Sequence, residues 1–265
     1  RAGRHRTRMP ELTPPFVLGW DLAGTVIEIG SGASGYAVGD PVVGLVPWIQ
    51  AGGRVGTYAE AVAVDPAWLA PRPAQLGAVI AATIPLNGLT ARQALDLIAA
   101  PAGSRLLITG ASGAVGSFAT QLAVAEGLEV IAIASDGDEG WVSDLGPSEV
   151  LGRASDLAAL DPVDAVLDAV PIGPPAVVAV RDGGTAVFTR RVGELPPGRR
   201  LRVETPLVHP DQVALARLAR QVTEQTVRTR VAGTFALAEA AAAHRLAERG
   251  RARGKFVLTT DQEET

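Results

Sequence analysis

Three glycines, Gly110, Gly113 and Gly116, stand at intervals of three in the stretch ITGASGAVGSFATQLA, residues 108–123. The apolar run RLLIT precedes them and a helical pattern follows. Each glycine has its own task in such a turn. Gly110 lets the chain turn sharply at the end of a strand. Gly113 offers bare backbone that a pyrophosphate can approach closely, and Gly116 lets the new helix pack tightly on the sheet. Ala114 and Val115 open that helix, where free N–H groups and the positive end of the dipole favour an anion. The GxxGxxG spacing alone is a weak signal, because a glycine-rich strand–helix turn can be purely structural. A second apolar run, EVIAIAS at 129–135, follows at the distance a strand–helix–strand unit requires, and this context points to a dinucleotide phosphate.

The end of that second strand bears on which dinucleotide is bound. In NAD-binding units an acidic residue there grips the ribose hydroxyls. Register puts Ala134 at that place, and a small residue leaves room for a 2′-phosphate. Asp136, two residues on, could reach the ribose and favour NADH, or it could be a solvated turn residue in SDGDEG. No Lys or Arg stands at 135–140 to pair with a phosphate. The register favours NADPH and leaves NADH open.

Other chemistries find little support. The chain has no cysteine, so disulfides, thiolate zinc sites and a cysteine nucleophile are excluded. Its three histidines, His5, His209 and His244, are widely separated and read as structural or solvent-facing rather than as metal ligands. No GxSxG nucleophile elbow is present, and Ser112 and Ser117 beside the glycine turn read as hydrogen-bonding residues. Asp21 in GWDLAG has two readings: a cleft residue that orients substrate, or a buried acid accepting backbone N–H groups. Trp48 and Tyr58 could line a pocket, although core packing is the default for both.

The elements that must position these residues change character along the chain. Up to about residue 75 the sequence is β-rich, with FVLGWDLAGTVIEIGSG (16–32), VGDPVVGLV (38–46) and GTYAEAVAVD (56–65) separated by Gly and Pro, as in a small barrel-like domain. Helical periodicity then appears over 74–100, interrupted at Pro85. Strands RLLITG, EVIAIAS, VDAVLDAV (163–170) and GTAVFT (184–189) alternate with helices, which implies a parallel sheet covered on both faces. A helix near 211–225, a β segment near 227–231, an Ala-rich helix near 237–249 and the strand KFVLTT (255–260) complete the chain.

With 265 residues, 47% hydrophobic and 20% charged, the sequence suits a globular protein with a sizeable core. A net charge of −4 and 4% aromatic residues point away from nucleic acid or an anionic membrane as partner. No apolar run reaches membrane-spanning length and no signal peptide is visible, which fits a cytoplasmic protein. The opening RAGRHRTRMPELTPP, with Arg1, Arg4, Arg6 and Arg8, does not read as the start of a domain, and further residues are expected before Arg1.

The ordered set FVLGWDLAGTV, YAVGDPVVG, GTYAEAVAV, IPLNGLTARQAL, ITGASGAVGSFATQLA, VDAVLDAV and AEAAAAHRLAERGRARGKFVL resembles the medium-chain dehydrogenase/reductase superfamily, in its zinc-independent quinone oxidoreductase branch. The resemblance covers nearly the whole chain and is weaker across 136–162 and 190–210. It implies an α/β protein, with a doubly wound Rossmann sheet joined to a partial GroES-like β domain. The expected division is a GroES-like part at 1–76, a Rossmann domain at 77–225 and a return to the first domain at 226–265, with the cofactor in the cleft between them. Hydride transfer from NADPH to a quinone or an α,β-unsaturated carbonyl compound is the implied activity, with a small-molecule substrate and a homodimer. The resemblance also implies cofactor contacts. Thr90 would sit near the nicotinamide, and Gly113, Ala114 and Val115 at the pyrophosphate. Ser135 would lie at the adenosine ribose, Val170 and Phe188 beside the nicotinamide, and Lys255 close to the cofactor. The usual AAGGVG reads ASGAVG here, Asn87 replaces a small residue, and Pro171 stands where glycines usually follow. Hydride transfer needs no protein nucleophile, so no residue is assigned as general acid. Two alternatives stay open: a catalytically silent nucleotide-binding or scaffold protein, and a tailoring reductase dedicated to one specialised metabolite.

Overall fold

The computed structural model describes residues 14–250 and 252–260; the basic cluster Arg1, Arg4, Arg6 and Arg8 and the histidine His5 lie outside the described residues. The chain forms two compact units. The sheet that carries the glycine turn belongs to the second, which takes Asn87–Val208 and Glu224–Arg230. Its six strands are β4 (Arg105–Thr109), β5 (Glu129–Ile133), β6 (Glu149–Leu151), β7 (Val163–Asp168), β8 (Val180–Phe188) and β9 (Arg202–Glu204). They are all parallel, in the order β6-β5-β4-β7-β8-β9. The order reverses beside β4, so this is the doubly wound sheet expected from the sequence. Strands covered on both faces need continuous apolar runs, and Leu106, Leu107 and Ile108 of β4 are fully buried, as are Val130, Ile131 and Ala132 of β5.

Helix α3 (Ala114–Ala125) follows the glycine turn and is buried from Gly116 through Ala123. Small residues on this helix let it lie close to the sheet, and its one large buried ring, Phe118, fills the space beside it. Helix α2 (Pro85–Ile98) begins at Pro85 rather than being broken there. Proline is favoured in the first helical turn, where its missing N–H would have no partner. Before α2, α1 (Ala78–Ala81) is a single turn within the first unit, and α4 (Glu139–Ser143) is a short helix after β5.

The first unit takes residues up to Leu86, then His209–Thr223 and the chain from Val231. It holds the antiparallel sheet β1 (Asp21–Thr25), β2 (Pro41–Leu45) and β3 (Leu69–Pro71), and a parallel pair, β10 (Val231–Ala236) with β11 (Lys255–Thr259). Helices α5 (Gln212–Thr223) and α6 (Ala240–Glu248) belong to it as well. The compact units thus divide after Leu86, Val208, Thr223 and Arg230, where the sequence reading placed boundaries after residues 76 and 225. Gln212 at the start of α5 donates from Nε2 to the carbonyls of Pro66 and Leu69, both at 2.8 Å, and holds the helix to the first unit. The apolar face Leu215, Leu218, Ala219 and Val222 gave no indication of which unit it would cover.

Two predicted strands are irregular. GTYAEAVAVD is not a strand, although Tyr58 N–H donates to Leu18 O at 2.8 Å and Val17 N–H to Gly53 O at 3.0 Å. At Gly19, φ +107, a Cβ would lie 2.2 Å from Thr57 Oγ1, and this close crossing prevents a regular ladder. The segment before β10 is also irregular. Its backbone pairs with a side chain: Gln121 Oε1 accepts Arg228 N–H at 2.7 Å, and Gln121 Nε2 donates to Arg228 O at 2.9 Å.

Strand β7 carries two carboxylates that titrate in opposite directions. The Arg181 guanidinium, 2.8 Å away, and the Arg105 N–H, also at 2.8 Å, hold Asp164 below its ordinary 3.8, whereas burial pushes Asp168 up. A depressed carboxyl stabilises the fold above the unfolded-state value, and the contribution is lost as pH falls through the folded-state value. Asp164→Asn removes that acid-labile part. Urea midpoints measured from pH 5 down to pH 2 are expected to fall less steeply in this variant than in the parent chain.

Candidate functional site

At the carboxyl end of β4 the chain enters the glycine turn. Gly110 has φ +67, a conformation that side chains rarely adopt. Gly113 N–H donates to Gly110 O at 2.8 Å, and Ala111 N–H donates to Ile133 O at 3.0 Å, which ties the turn to the end of β5. A Cβ on Gly116 would meet Gly110 O at 2.2 Å, so only glycine permits this crossing of helix and turn. Gly113 is the N-cap of α3 and supplies no side-chain cap, leaving the first-turn N–H groups of Ala114, Val115 and Gly116 without a side-chain partner. Bare backbone at Gly113, open donors and the positive end of a twelve-residue helix fit a dinucleotide pyrophosphate.

A hydrogen-bonded brace holds the turn from beneath. Asp168, at the end of β7, is almost fully buried. It accepts from Thr109 Oγ1 at 2.5 Å and from Gly173 N–H at 2.9 Å. Thr189 Oγ1 donates to the Asp168 carbonyl at 3.1 Å. Neighbouring strand ends are thus cross-linked at the edge that carries the site. Val170 emerges from this brace 41% exposed, and its side chain lies against Gly110.

The second strand ends at a compact polar cluster. Ser135 N–H donates to Ser112 Oγ at 2.8 Å, joining the end of β5 to the glycine turn. Asp138 N–H donates to Ser135 O at 2.9 Å and closes a tight turn. Ala134 is buried and Asp136 is exposed; the acid turned inward is Asp138. Two cations reach this turn from distant segments. Arg153, after β6, donates from Nη2 to Ser135 Oγ at 2.6 Å. Arg230 pairs with Asp138 at 3.1 Å and donates to Ser112 O at 3.2 Å. The Arg230 guanidinium also lies 4.4 Å from the centre of the Trp141 ring, with that of Arg228 at 5.0 Å.

Gly110, Gly113, Ala114, Val115, Gly116, Ser135 and Val170 therefore gather at one edge of the sheet. Phe188 closes β8 at the same edge, but its side chain is 1% exposed and packs in the core, so only its main chain is available there. Thr90 is half-buried on α2. Lys255 falls in the first unit, where its ammonium pairs with Asp21, and Asp21 Oδ1 also accepts Leu86 N–H at 2.6 Å. Asp21 thus takes the buried, backbone-satisfying role. Trp48 packs on Phe16 and Trp20, which is the core reading. The Tyr58 hydroxyl meets His244 Nε2 at 3.1 Å, and burial, with the nearby Asp21 charge, raises the phenol's pKa. His209 Nδ1 lies against Pro210 O. Among the described residues no group of three or more His, Asp or Glu is placed to hold a metal ion. Arg153, Arg230, Asp138 and Trp141 were missed by sequence reasoning. No Lys or Arg stands within 135–140, and nothing local marks residues 18 and 95 positions past Ser135 as its neighbours.

Two family models match the chain: the alcohol dehydrogenase GroES-like domain over residues 1–74 and zinc-binding dehydrogenase over residues 145–258. The quinone oxidoreductase from Coxiella burnetii superposes with a TM-score of 0.84 at 30% identity, covering 95% of this chain and 82% of that one. A 2-methylene-furan-3-one reductase from Solanum lycopersicum is 32% identical over 92% of this chain and 63% of its own length. The trans-enoyl reductase himH from Aspergillus japonicus is 35% identical over 60% of this chain and 52% of its own. The chain spans roughly half to two thirds of the length of these two curated relatives. It belongs to the medium-chain dehydrogenase/reductase superfamily and is quinone oxidoreductase-like, with the GroES-like and Rossmann-like parts that the sequence implied.

The closeness of Gly116 to Gly110 O makes this position a sharp test of the turn. Gly116→Ala forces helix and turn apart and is expected to cost about 2 kcal/mol or more in a urea unfolding experiment. Gly140→Ala, on a helix where a Cβ would meet nothing within 4 Å, is the control and is expected to leave the midpoint unchanged or slightly raised.

Proposed function

We propose that this chain is an NADPH-dependent oxidoreductase that delivers hydride, without zinc, to a quinone or an α,β-unsaturated carbonyl acceptor. The observation that carries the cofactor part is the pairing of an open glycine cradle at the start of α3 with the Ser135–Arg153 contact at the end of β5. The first-turn N–H groups of Ala114, Val115 and Gly116 would hold the pyrophosphate. Ser135 and Arg153 would receive the adenosine ribose and a 2′-phosphate, with Ala134 too small and too buried to compete. We read the exposed Asp136 as a solvated turn residue, in keeping with a site for NADPH. Bound there, the dinucleotide supplies the hydride. The chain's residues fix its position, and solvent supplies the proton that the acceptor needs. Relatives named as quinone oxidoreductase, trans-enoyl reductase and 2-methylene-furan-3-one reductase support the acceptor class. The lack of cysteine supports chemistry without a thiolate-bound zinc.

A homodimer formed through the sheet is part of the same reading. Among the described residues β9 is the outer strand, paired with β8 on one side only, and Val203 on it is 42% exposed. Strand β8, with its GTAVFT segment, lies one strand inward. An open strand edge is a template for pairing with a second copy.

Three measurements test the proposal. Absorbance at the reduced-nicotinamide band should fall when NADPH is mixed with a simple quinone or enone; cofactor binding without turnover across a broad acceptor panel would overturn the reductase reading. Arg153→Ala should weaken NADPH about tenfold while barely moving NADH, as the loss of one charge-assisted contact implies. Light scattering behind a sizing column should give twice the chain mass, and Val203→Asp should shift the protein toward the monomer.

A further inference from the structure

We propose that Arg230 and Asp138 set how strongly the adenosine end discriminates a 2′-phosphate from a free ribose hydroxyl, with Arg230 supplying a second cation and Asp138 limiting its charge. This rests on the NADPH reading of the same site. Arg230 closes the segment Glu224–Arg230, which runs between α5 and β10 but belongs to the Rossmann-like unit. Nothing in its local sequence links it to the cofactor turn, and the fold brings it there. Val227 is buried, and the Gln121 amide pairs with the Arg228 backbone in both directions. The strap is thereby fixed against α3, and the side chains beyond it have a defined place.

Arg230 is held on three sides. One amino group donates to the Ser112 carbonyl within the glycine turn, the other meets the Asp138 carboxylate, and the plane lies over Trp141. Ser112 and Asp138 are also the residues that bond to Ser135, through Ser112 Oγ and the Asp138 N–H. Arg153 reaches that serine's hydroxyl. Arg153 and Arg230 therefore converge on one turn of four residues, 135–138. Asp136 on the turn and Glu139 beside it are exposed, so water screens them. Arg228, which shares the Trp141 ring, faces the Asp144 carboxylate at 3.9 Å. The least screened charges at the turn are therefore Arg230 and its partner Asp138, with Arg153 at its rim.

A dianionic phosphate gains more from an unoffset guanidinium than a neutral hydroxyl does. Asp138 has only 9% of its side chain exposed, so water screens its effect on Arg230 poorly. Removing its charge should therefore strengthen phosphate binding selectively.

The test is a calorimetric titration of the full chain with adenosine 2′,5′-bisphosphate and, separately, 5′-AMP, which isolates the adenosine end from the nicotinamide. Arg230→Gln is expected to weaken the bisphosphate about tenfold and to leave 5′-AMP within about twofold. Asp138→Asn keeps the shape of the side chain and is expected to tighten the bisphosphate several-fold, again sparing 5′-AMP. Arg230→Lys should restore part of what Arg230→Gln loses. Equal shifts for both ligands would make the pair a structural brace only and overturn the proposal. If Arg153→Ala abolishes the bisphosphate preference while the Arg230 and Asp138 variants leave it intact, the NADPH reading stands and this inference falls. A parent chain that binds neither ligand, or both equally, overturns the two together.

Discussion

The contact between Gly116 and the Gly110 carbonyl governs how the site is built. It sets the distance between α3 and the turn that leaves β4, and any side chain at 116 would prise them apart. Because helix and turn lie this close, the uncapped start of the helix and the bare backbone of Gly113 share one small region. Anion binding at a helix start depends on that proximity, since the dipole's influence fades within a single turn. The run of small residues in α3 extends the same logic along the helix. Alanines and Ser117 let the backbone approach the sheet, and burial of the helix from Gly116 to Ala123 then locks the turn in place.

The turn is held from two further directions, and both supports are polar. Asp168 beneath it accepts from a hydroxyl and from backbone donors. Burial pushes its pKa up against the pull of these bonds. The carboxylate joins the ends of adjacent strands at the edge that carries the glycine turn. Gln121 does comparable work from the helix. By pairing with the Arg228 backbone it gives an irregular strap the two hydrogen bonds a strand neighbour would have supplied. Main-chain groups packed against a helix need such partners, and one amide side chain provides them.

The sequence made the framework legible because its signals are local. Gly110, Gly113 and Gly116 mark a strand–helix turn by spacing alone, and the apolar runs of β4, β5 and β7 leave little choice but a doubly covered parallel sheet. Unit boundaries were less legible. Helix α5 has a clear apolar face but no mark of which surface it covers, and a single glutamine side chain, Gln212, holds it to the first unit. The strand expected at GTYAEAVAVD failed because alternation cannot reveal the tight crossing at Gly19. At the polar cluster the sequence could not rank two neighbouring acids. Asp136 and Asp138 share one short polar turn, and only the fold shows that the second faces inward. The cations Arg153 and Arg230 were invisible for a simpler reason: side chains that meet across a sheet edge carry no record of it in their sequence separation.

That last point bears on how charge is arranged around the Ser135 turn. Arg230, brought from the strap, is half-buried and fixed by Asp138, Ser112 and Trp141. Arg153, brought from beyond β6, is exposed and tied to the turn by its hydrogen bond to Ser135. A guanidinium already held in place loses little further freedom when it meets an anion, so more of its attraction is available for binding. The carboxylate of Asp138 has a double effect in this scheme. It weakens the field that a phosphate would feel, and it fixes the orientation of the group that produces the field. An acid at this turn is therefore compatible with anion recognition, because the fold joins it to a cation rather than leaving it to face the ligand alone.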